Sequence, residues 1–481
     1  MKTMRLLFLG LFLLMVLLPV AAFASHLDLA PHSGHFERIG PDGEIYIHTA
    51  EQLANIQMQA NLYIESDGQS GSLEYLTIPG NVYVLGQDID LPPGFTPIGD
   101  AGTHPDFIFR GSFDGRGHTI TGLSQGLFGS LDGASVSNLV IADANIKITS
   151  KEPFAAGILA DNAQNSIIKN VTIENSEISA LKGGSGIVGG LVGLAIDTKF
   201  YDSSVKASTV IGPAADNGKN ATGGFAGRLE GTGLVLECHS HAHVSGGMAG
   251  GFVGQASGSP LAANANHRLE IIQSSATGKV VSTGGIAGGF IGEGAYAHIK
   301  DCAAYGDVEG HTGAGGFVGR LTSRSRVIYS YARGDVFLEG QGGFAGGFIG
   351  KLTGSACVEF SYSAGSVLAG HTSVEAMGTT GAMVGGFVGV ITDDGIPNTI
   401  THSLSFSPWV VGDGYVHRFA GRMEHDGVNG CFAYLGSMVV RGGKLVDVIP
   451  SAYGSDGGDM SMAQVEAVAK RLGWRREVLI Q

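Results

Sequence analysis

The chain runs to 481 residues, of which 79 are glycine and only 15% are charged, against usual shares of about 7% and 25%. With 43% hydrophobic residues and a mean hydropathy of +0.19 it is too apolar to stay disordered, and no Gly-X-Y period makes it collagen-like. A formal net charge of −14 repels phosphate backbones, so nucleic acid is not an expected partner.

Residues 1–24 read as a signal peptide. Lys2 and Arg5 supply a basic start, Leu6 to Leu18 an apolar stretch, and Ala22-Phe23-Ala24 a small-residue cleavage site before Ser25. Its removal makes the mature chain two units more negative and exports it, to a secreted, periplasmic or cell-surface location. No later stretch reaches the ~20 apolar residues that a spanning helix needs, so no transmembrane anchor is expected in the mature chain. After an extension over 25–48, Thr49-Ala50-Glu51-Gln52 fits a capping box opening a helix to about Asn61. Residues 49–125 are expected to hold this N-terminal cap and the first coils.

From 126 to 435 a block of two glycines, two apolar residues and a glycine recurs. It appears at Gly189–Gly193, Gly223–Gly227, Gly250–Gly254, Gly288–Gly292, Gly315–Gly319, Gly346–Gly350 and Gly385–Gly389. Gly126-Leu127-Phe128-Gly129 is a shorter first member, 156–160 a partial one, and Arg418-Phe419-Ala420-Gly421 a degenerate last one. Between the blocks lie short β-prone runs such as Ala304-Tyr305-Gly306-Asp307-Val308, with no helical period between them. Such repeats cannot bury their apolar faces alone and must stack. The expected fold is all-β: a single-stranded, right-handed parallel β-helix (β-solenoid) of roughly ten coils, with short capping helices at both ends. Leu191, Phe225, Phe252, Phe290, Phe317, Phe348 and Phe387 share one block position and are expected to form a ladder of side chains about 4.8 Å apart. By the period of two, Met248, Gly250, Phe252 and Gly254 would share one face and Ala249, Gly251 and Val253 the other. The block glycines mark either a corner needing positive φ or a close approach of backbones. Residues 436–481 are expected to form a last coil and a capping helix starting at Ser461, with Met462, Val465, Val468 and Leu472 on one face.

The chemical candidates are few. Cys238 and Cys302 fall in a slot that Ser275, Ser330 and Ser361 fill in other repeats, two coils apart and so beyond disulfide reach; both read as buried free thiols. His239, His241 and His243 alternate, which on one strand would turn all three to one face, and they are the weak candidates for a metal site. Arg333-Gly334-Asp335 spells a receptor-type tripeptide, although Tyr305-Gly306-Asp307 holds the same place. Asp393-Asp394-Gly395 and Asp456-Gly457-Gly458-Asp459 read as turns lacking ordered calcium spacing. Surface acids such as Asp301, Asp307, Glu309 and Asp335 recur with no pair marked for catalysis. No residue is singled out as catalytic or cofactor-binding, and no cofactor or metal is expected.

The glycine-Leu/Phe-apolar-glycine blocks resemble the GLUG-motif repeats of bacterial surface and secreted proteins. The stretch from Tyr83-Val84-Leu85 to Gly111-Ser112-Phe113-Asp114-Gly115-Arg116-Gly117-His118-Thr119-Ile120 resembles the segment that often precedes them. The resemblance, over residues 45 to 435, implies a parallel β-helix, adhesin-like relatives and the non-catalytic regions of IgA-cleaving metallopeptidases. The leading expectation is a non-catalytic secreted or surface protein presenting an extended face to an extracellular glycan or protein. A polysaccharide-cleaving β-helix enzyme and a structural envelope component are the alternatives.

Overall fold

The computed structural model describes residues 44–56, 81–99, 108–181, 183–214, 220–260, 268–340, 342–370, 381–392, 394–395 and 397–472. The leader and part of the first cap therefore lie outside the described residues.

The chain winds into a parallel β-helix, and each full coil contributes strands to four sheets. One coil reads Ile286–Gly288, Ile291–Ala295, Ala297–Lys300 with Ala303–Ala304, then Val308–Gly310. We call the four walls sheet IV, sheet I, sheet II and sheet III in that order. Sheet I has 10 strands, from Phe128–Asp132 to Ala420–Met423; sheet II has 24, because most of its coils bend in mid-wall; sheets III and IV have 11 and 9. Coil-to-coil pairing is parallel throughout, and the one antiparallel ladder among the described strands joins Met438–Arg441 to Lys444–Leu445 at the C-terminal end.

Sheet II starts before the repeats do. Ile45–Ile47 pairs with Tyr83–Leu85, which pairs with Ser112–Asp114, so the sheet begins inside the stretch read as an extension. The helix follows at 50–56. Gln52 N donates to Thr49 Oγ1 at 3.1 Å and His48 N donates to Gln52 Oε1 at 2.7 Å, a reciprocal cap shifted by one residue. Leu53 and Ile56 bury this helix on the first coil.

The block glycines serve close approach. None of those at 189–193, 250–254 or 288–292 has a positive φ. A Cβ on Gly251 would fall on the carbonyl oxygen of Gly289 in the next coil, and one on Gly250 would fall on that of Val253. The chain turns from sheet IV into sheet I here, and the turn breaks the expected alternation: Met248 to Gly254 are all buried, with Phe252 and Val253 in the same core. The phenylalanines stack in one column, with ring centroids 4.6 Å apart for Phe225–Phe252, 4.8 Å for Phe252–Phe290 and 4.9 Å for Phe290–Phe317. The column continues through Phe348 and Phe387 to Phe419. Upstream, backbone hydrogen bonds carry the same position through Leu191 and Leu159; residues 156–160 thus hold the block's place in their own coil, with Ile158 where later blocks have their second glycine.

A second column divides the molecule. On the inner side of sheet II's second strand the register runs Ile89, Ile120, Ile141, Ile173, Val205, then Ser240, Ala276, Ala304, Ala332, Ser363 and Ser405. The small residues let the glycine corner close in: a Cβ on Gly251, Gly289 or Gly316 would lie 3.1–3.2 Å from the Cβ of Ala276, Ala304 or Ala332. In the early coils Ile146, Ile178 and Val210 of sheet III belong to the main core. From Val244 onward, sheets III and IV enclose a core of their own, built from Val280, Val308 and Val336 against Ala287, Ala314 and Ala345.

The C-terminal end is closed by Arg418. It replaces the second glycine of the block where no further block stacks above it. Its buried side chain donates from Nε to Asp456 O at 3.0 Å and from Nη2 to Gly457 O at 3.2 Å, and it pairs with Asp459 at 2.8 Å. The segment 455–459 thereby lies over the last coil. The helix Met462–Leu472 follows, capped by Ser461 and Gln464. Its Val465 packs with Tyr362, Leu404 and Met460, so it covers the outer flank of the final coils.

Candidate functional site

The mid-wall bend of sheet II explains the cysteines. Each bend has a residue with positive φ (Asp202, Glu237, Gln273, Asp301, Tyr329, Phe360, His402) followed by a small buried one. The buried slot runs Ser203, Cys238, Ser274, Cys302, Ser330, Ser361, Ser403 and Cys431. The equivalent serine is therefore Ser274 rather than Ser275, which instead pairs with His239. Cys238, Cys302 and Cys431 are free and buried. Burial pushes the Cys238 and Cys302 thiols up to about 12, so neither is a ready nucleophile. Cys302 N donates to Ser330 Oγ at 3.2 Å and Ser330 N to Ser361 Oγ at 3.3 Å, so the slot is a hydrogen-bonded rail between coils.

The three histidines do not share one strand. His239 lies in sheet II, His243 in sheet III, and the chain turns between them. His239 Nδ1 meets Ser275 Oγ at 2.9 Å, His241 Nδ1 meets Thr277 Oγ1 at 2.9 Å, and Lys279 N donates to His243 Nδ1 at 3.3 Å. Each ring is tied to the next coil rather than to the other two. Burial, with His241 nearby, lowers the pKa of His239. Among the described residues no three His, Cys, Asp or Glu side chains are grouped to hold a metal ion.

The acids are likewise used for stacking. Asp307 Oδ1 accepts from Asp335 N at 2.9 Å, and Asp335 Oδ1 accepts from Ser366 N at 2.7 Å. The Arg333-Gly334-Asp335 tripeptide is thus one tier of a corner, with its carboxylate committed to the tier above. Glu309 pairs with Lys279 of the preceding coil, whereas Asp301 pairs within its own coil with Lys300. Asp394 accepts from Thr353 and from Gly354 N; Asp393 lies outside the described residues. Asp456 belongs to the end closure. Burial opposes its ionisation, but hydrogen bonds from His417, Ile449 N and Arg418 N outweigh that and hold its pKa below the ordinary value.

A basic hollow of about 190 Å³ opens where sheet I turns into sheet II, across three successive coils. Pro260, Arg268, Tyr296, His298, Arg324 and Arg326 line it. Two features of the chain build it. The coil from Gly251 to Gly289 is 38 residues long, against 27 for its neighbours, and in the sequence 10 of these residues separate the strand ending at Gly258 from the strand beginning at Leu269. At the same corner of earlier coils the positive-φ residues are Gly133, Asn165, Asp197 and Gly231, whereas here they are Tyr296, Ser323 and Arg324. Arg326 is held by Glu359 and His298 lies 3.5 Å from Glu270. Arg268 and Arg324 are exposed and make no side-chain hydrogen bond or ion pair among the described residues. Sequence reading missed this hollow because its residues come from separate repeats; the 38-residue step was the available signal.

No protein-family profile matches the chain. Over 153 residues it is 33% identical to halomucin from Haloquadratum walsbyi, covering 28% of this chain and 2% of that protein. Over 127 residues it is 30% identical to an immunoglobulin A1 protease from Streptococcus sanguinis, covering 26% of this chain and 6% of that protein. The chain thus spans a small fraction of the length of these curated relatives. Among solved structures, a candidate immunoglobulin A1 protease from Bacteroides ovatus matches at 15% identity and a TM-score of 0.31, covering 91% of this chain and 89% of that one. A chain described as IgA1 protease matches at 16% identity and the same TM-score, covering 70% and 22%. No helix among the described residues is long and apolar enough to cross a membrane.

Proposed function

We propose that this is an exported, non-catalytic β-helix protein that presents an extended face for adhesion or extracellular assembly. The observation that carries this reading is the use of the polar surface. Asp307, Asp335, His239 and His241 each bond to the neighbouring coil, which makes a stiff register of outward-facing rows. The leader motif at 1–24, the unbroken stack and the GLUG-like blocks support the same reading. So do the partial matches to proteins named halomucin and immunoglobulin A1 protease. The test is to express the full chain, locate it by cell fractionation with N-terminal sequencing, and screen it on glycan and matrix-protein arrays. Maturation at Ser25 with saturable binding and no cleavage of any arrayed polymer is the expected result. Release of reducing ends from a glycan, or retention in the cytoplasm, defeats the proposal.

A further inference from the structure

We infer that the hollow at Arg268, Arg324 and Arg326 is a binding site for an anionic sugar, a residue carrying a carboxylate or sulfate within a glycan chain. This rests on the adhesive reading above and names the ligand class for it. Charge is the first reason. In a chain of net charge −14, three guanidinium groups and one imidazole converge on a single hollow with no acid in its lining. Glu359 and Glu270 sit outside and hold Arg326 and His298 in place. That leaves the positive charges of Arg268 and Arg324 at the rim without a protein partner among the described residues. Arginine presents planar, paired donors that match a carboxylate or sulfate edge in a way that a point charge does not.

Size and shape give the second reason. About 190 Å³ is well below the ~300–1,000 Å³ of pockets that enclose drug-sized ligands, so it suits one ring or one anionic group with the rest of the polymer outside. Tyr296 and Pro260 give the hollow apolar edges, which suit the C–H faces of a sugar. An extended acidic peptide fits less well. Peptides dock on a sheet by adding to a free strand edge. Here Ala297–Lys300 is already paired on both sides, with Leu269–Ile272 and with Arg326–Ile328.

The third reason is that the site is constructed. A longer coil supplies Pro260 and Arg268, and Tyr296 and Arg324 adopt φ of 52° and 58°, as Tyr329 and Phe360 do at the mid-wall bends, which sets large side chains at the corner between sheets I and II. The earlier coils put Asn165 and Asp197 there instead, residues that enter it readily.

The experiment uses the full mature chain and measures affinity for chondroitin sulfate, polysialic acid, polygalacturonate and neutral dextran, with inorganic sulfate and polyglutamate as further arms. At least one anionic glycan is expected to bind, dextran is not, and binding weakens as salt rises. Arg268→Ala and Arg324→Ala should each weaken binding at least tenfold, and Arg324→Lys should recover part of the loss. Arg228→Ala, on another coil, should leave it unchanged. Unchanged melting curves show that the variants still fold, as expected for two exposed side chains. Anionic-glycan binding that survives both substitutions overturns the assignment, as does equal affinity for dextran, polyglutamate or inorganic sulfate. Binding to a neutral glycan or a matrix protein that ignores both arginines defeats this site alone and leaves the adhesive reading standing. No binding to any glycan or matrix protein defeats both.

Discussion

The coils before residue 210 and those after residue 244 wind through the same four sheets but fill them in different ways. The early coils have Ile141, Ile173 and Val205 facing the axis, with Ile158 at the corner, and sheets I to IV share one core. The later coils set Ala276, Ala304 and Ala332 against paired glycines, and the cross-section pinches into two cores with a phenylalanine column in the larger one. Ring geometry follows the division. Near the N-terminus, Phe109 and Phe128 are tilted by 45° at 5.0 Å and Phe113 meets Phe128 edge-on, whereas Phe317 and Phe348 lie within 3° of parallel. A wide core lets large side chains choose their own packing. A pinched one repeats a single arrangement, because the backbone fixes the space at each tier.

The sharpest way to break this comparison is Gly289→Val. The added Cβ would strike the carbonyl oxygen of Gly316 and press on Ala304 from 3.2 Å. A backbone carbonyl on one side and a methyl with no rotatable bond on the other leave no flexible neighbour to yield, so the loss should exceed about 5 kcal/mol, beyond the usual range for a point mutant. Failure to recover folded protein, judged by circular dichroism, is expected. A soluble variant with a near-native melt would show that the pinch is not a steric limit.

Next in size is Phe317→Ala. Phe317 stacks on Phe290 at 4.9 Å and Phe348 at 4.8 Å, and its loss should cost about 3–5 kcal/mol from transfer and residual cavity. Phe225 lacks a phenylalanine in the coil before it, where the column holds Leu191, so Phe225→Ala is expected to lose less. The structure narrows that gap, since Phe200 meets Phe225 edge-on at 5.3 Å. The two variants should therefore differ by only about 0.5–1.5 kcal/mol, the worth of one aromatic pair. Reductant and chelator should leave the wild-type melt unmoved. A large drop with either reagent, beside a small one for Phe317→Ala, would displace the column as the stabilising element.

Ala304→Ile sharpens the comparison by writing an early-coil residue into a late coil. The new branches have only the Gly289 corner to enter, so overpacking should cost about 1–3 kcal/mol. The reverse probe, Ile173→Val, removes one methyl from the wide core and should cost about 0.5–1.5 kcal/mol. Thermal melts of the two rank them. An Ala304→Ile variant as stable as wild type would mean that the later coils can open into a single core.

The fold was legible because a repeated glycine block leaves few alternatives, and a phenylalanine at a constant offset from it states its own register. What the sequence could not show were events at corners. The supposed shared face of His239, His241 and His243 came from carrying a period of two across a bend, and the slip from Ser274 to Ser275 came from matching repeats where two serines stand side by side. The choice between positive φ and close approach at Gly251 depended on the neighbouring coil, which the local sequence does not contain. The arginine hollow was hidden for the same reason: Arg268, Tyr296 and Arg324 lie 28 residues apart in the chain and meet only once the coils stack. The change from Ile173 to Ala276 that divides the core runs along a column between coils and is written in no single repeat.

An effect of similar size but opposite sign tests the seam itself. Thr222 sits in sheet IV between Val188 of the single-core coils and Ala249 of the double-core ones. Its position is fully buried, and its hydroxyl has no hydrogen-bond partner among the described residues. It lies against Gly212 and Gly246, where a Cβ would meet its side chain, so the corner there is already crowded by a polar group that gains nothing. An unpaired buried hydroxyl costs about 1–3 kcal/mol, and exchanging it for a methyl group of similar shape removes that cost while leaving the neighbours in place. Thr222→Val should therefore raise stability by about 1 kcal/mol, visible as a modestly higher melting temperature. Thr222→Ser, which keeps the hydroxyl and loses the methyl, should lower it. If Thr222→Val melts below wild type, the hydroxyl has a role at the junction, and the change from one core to two is held by a polar contact rather than by the sizes of the residues on either side.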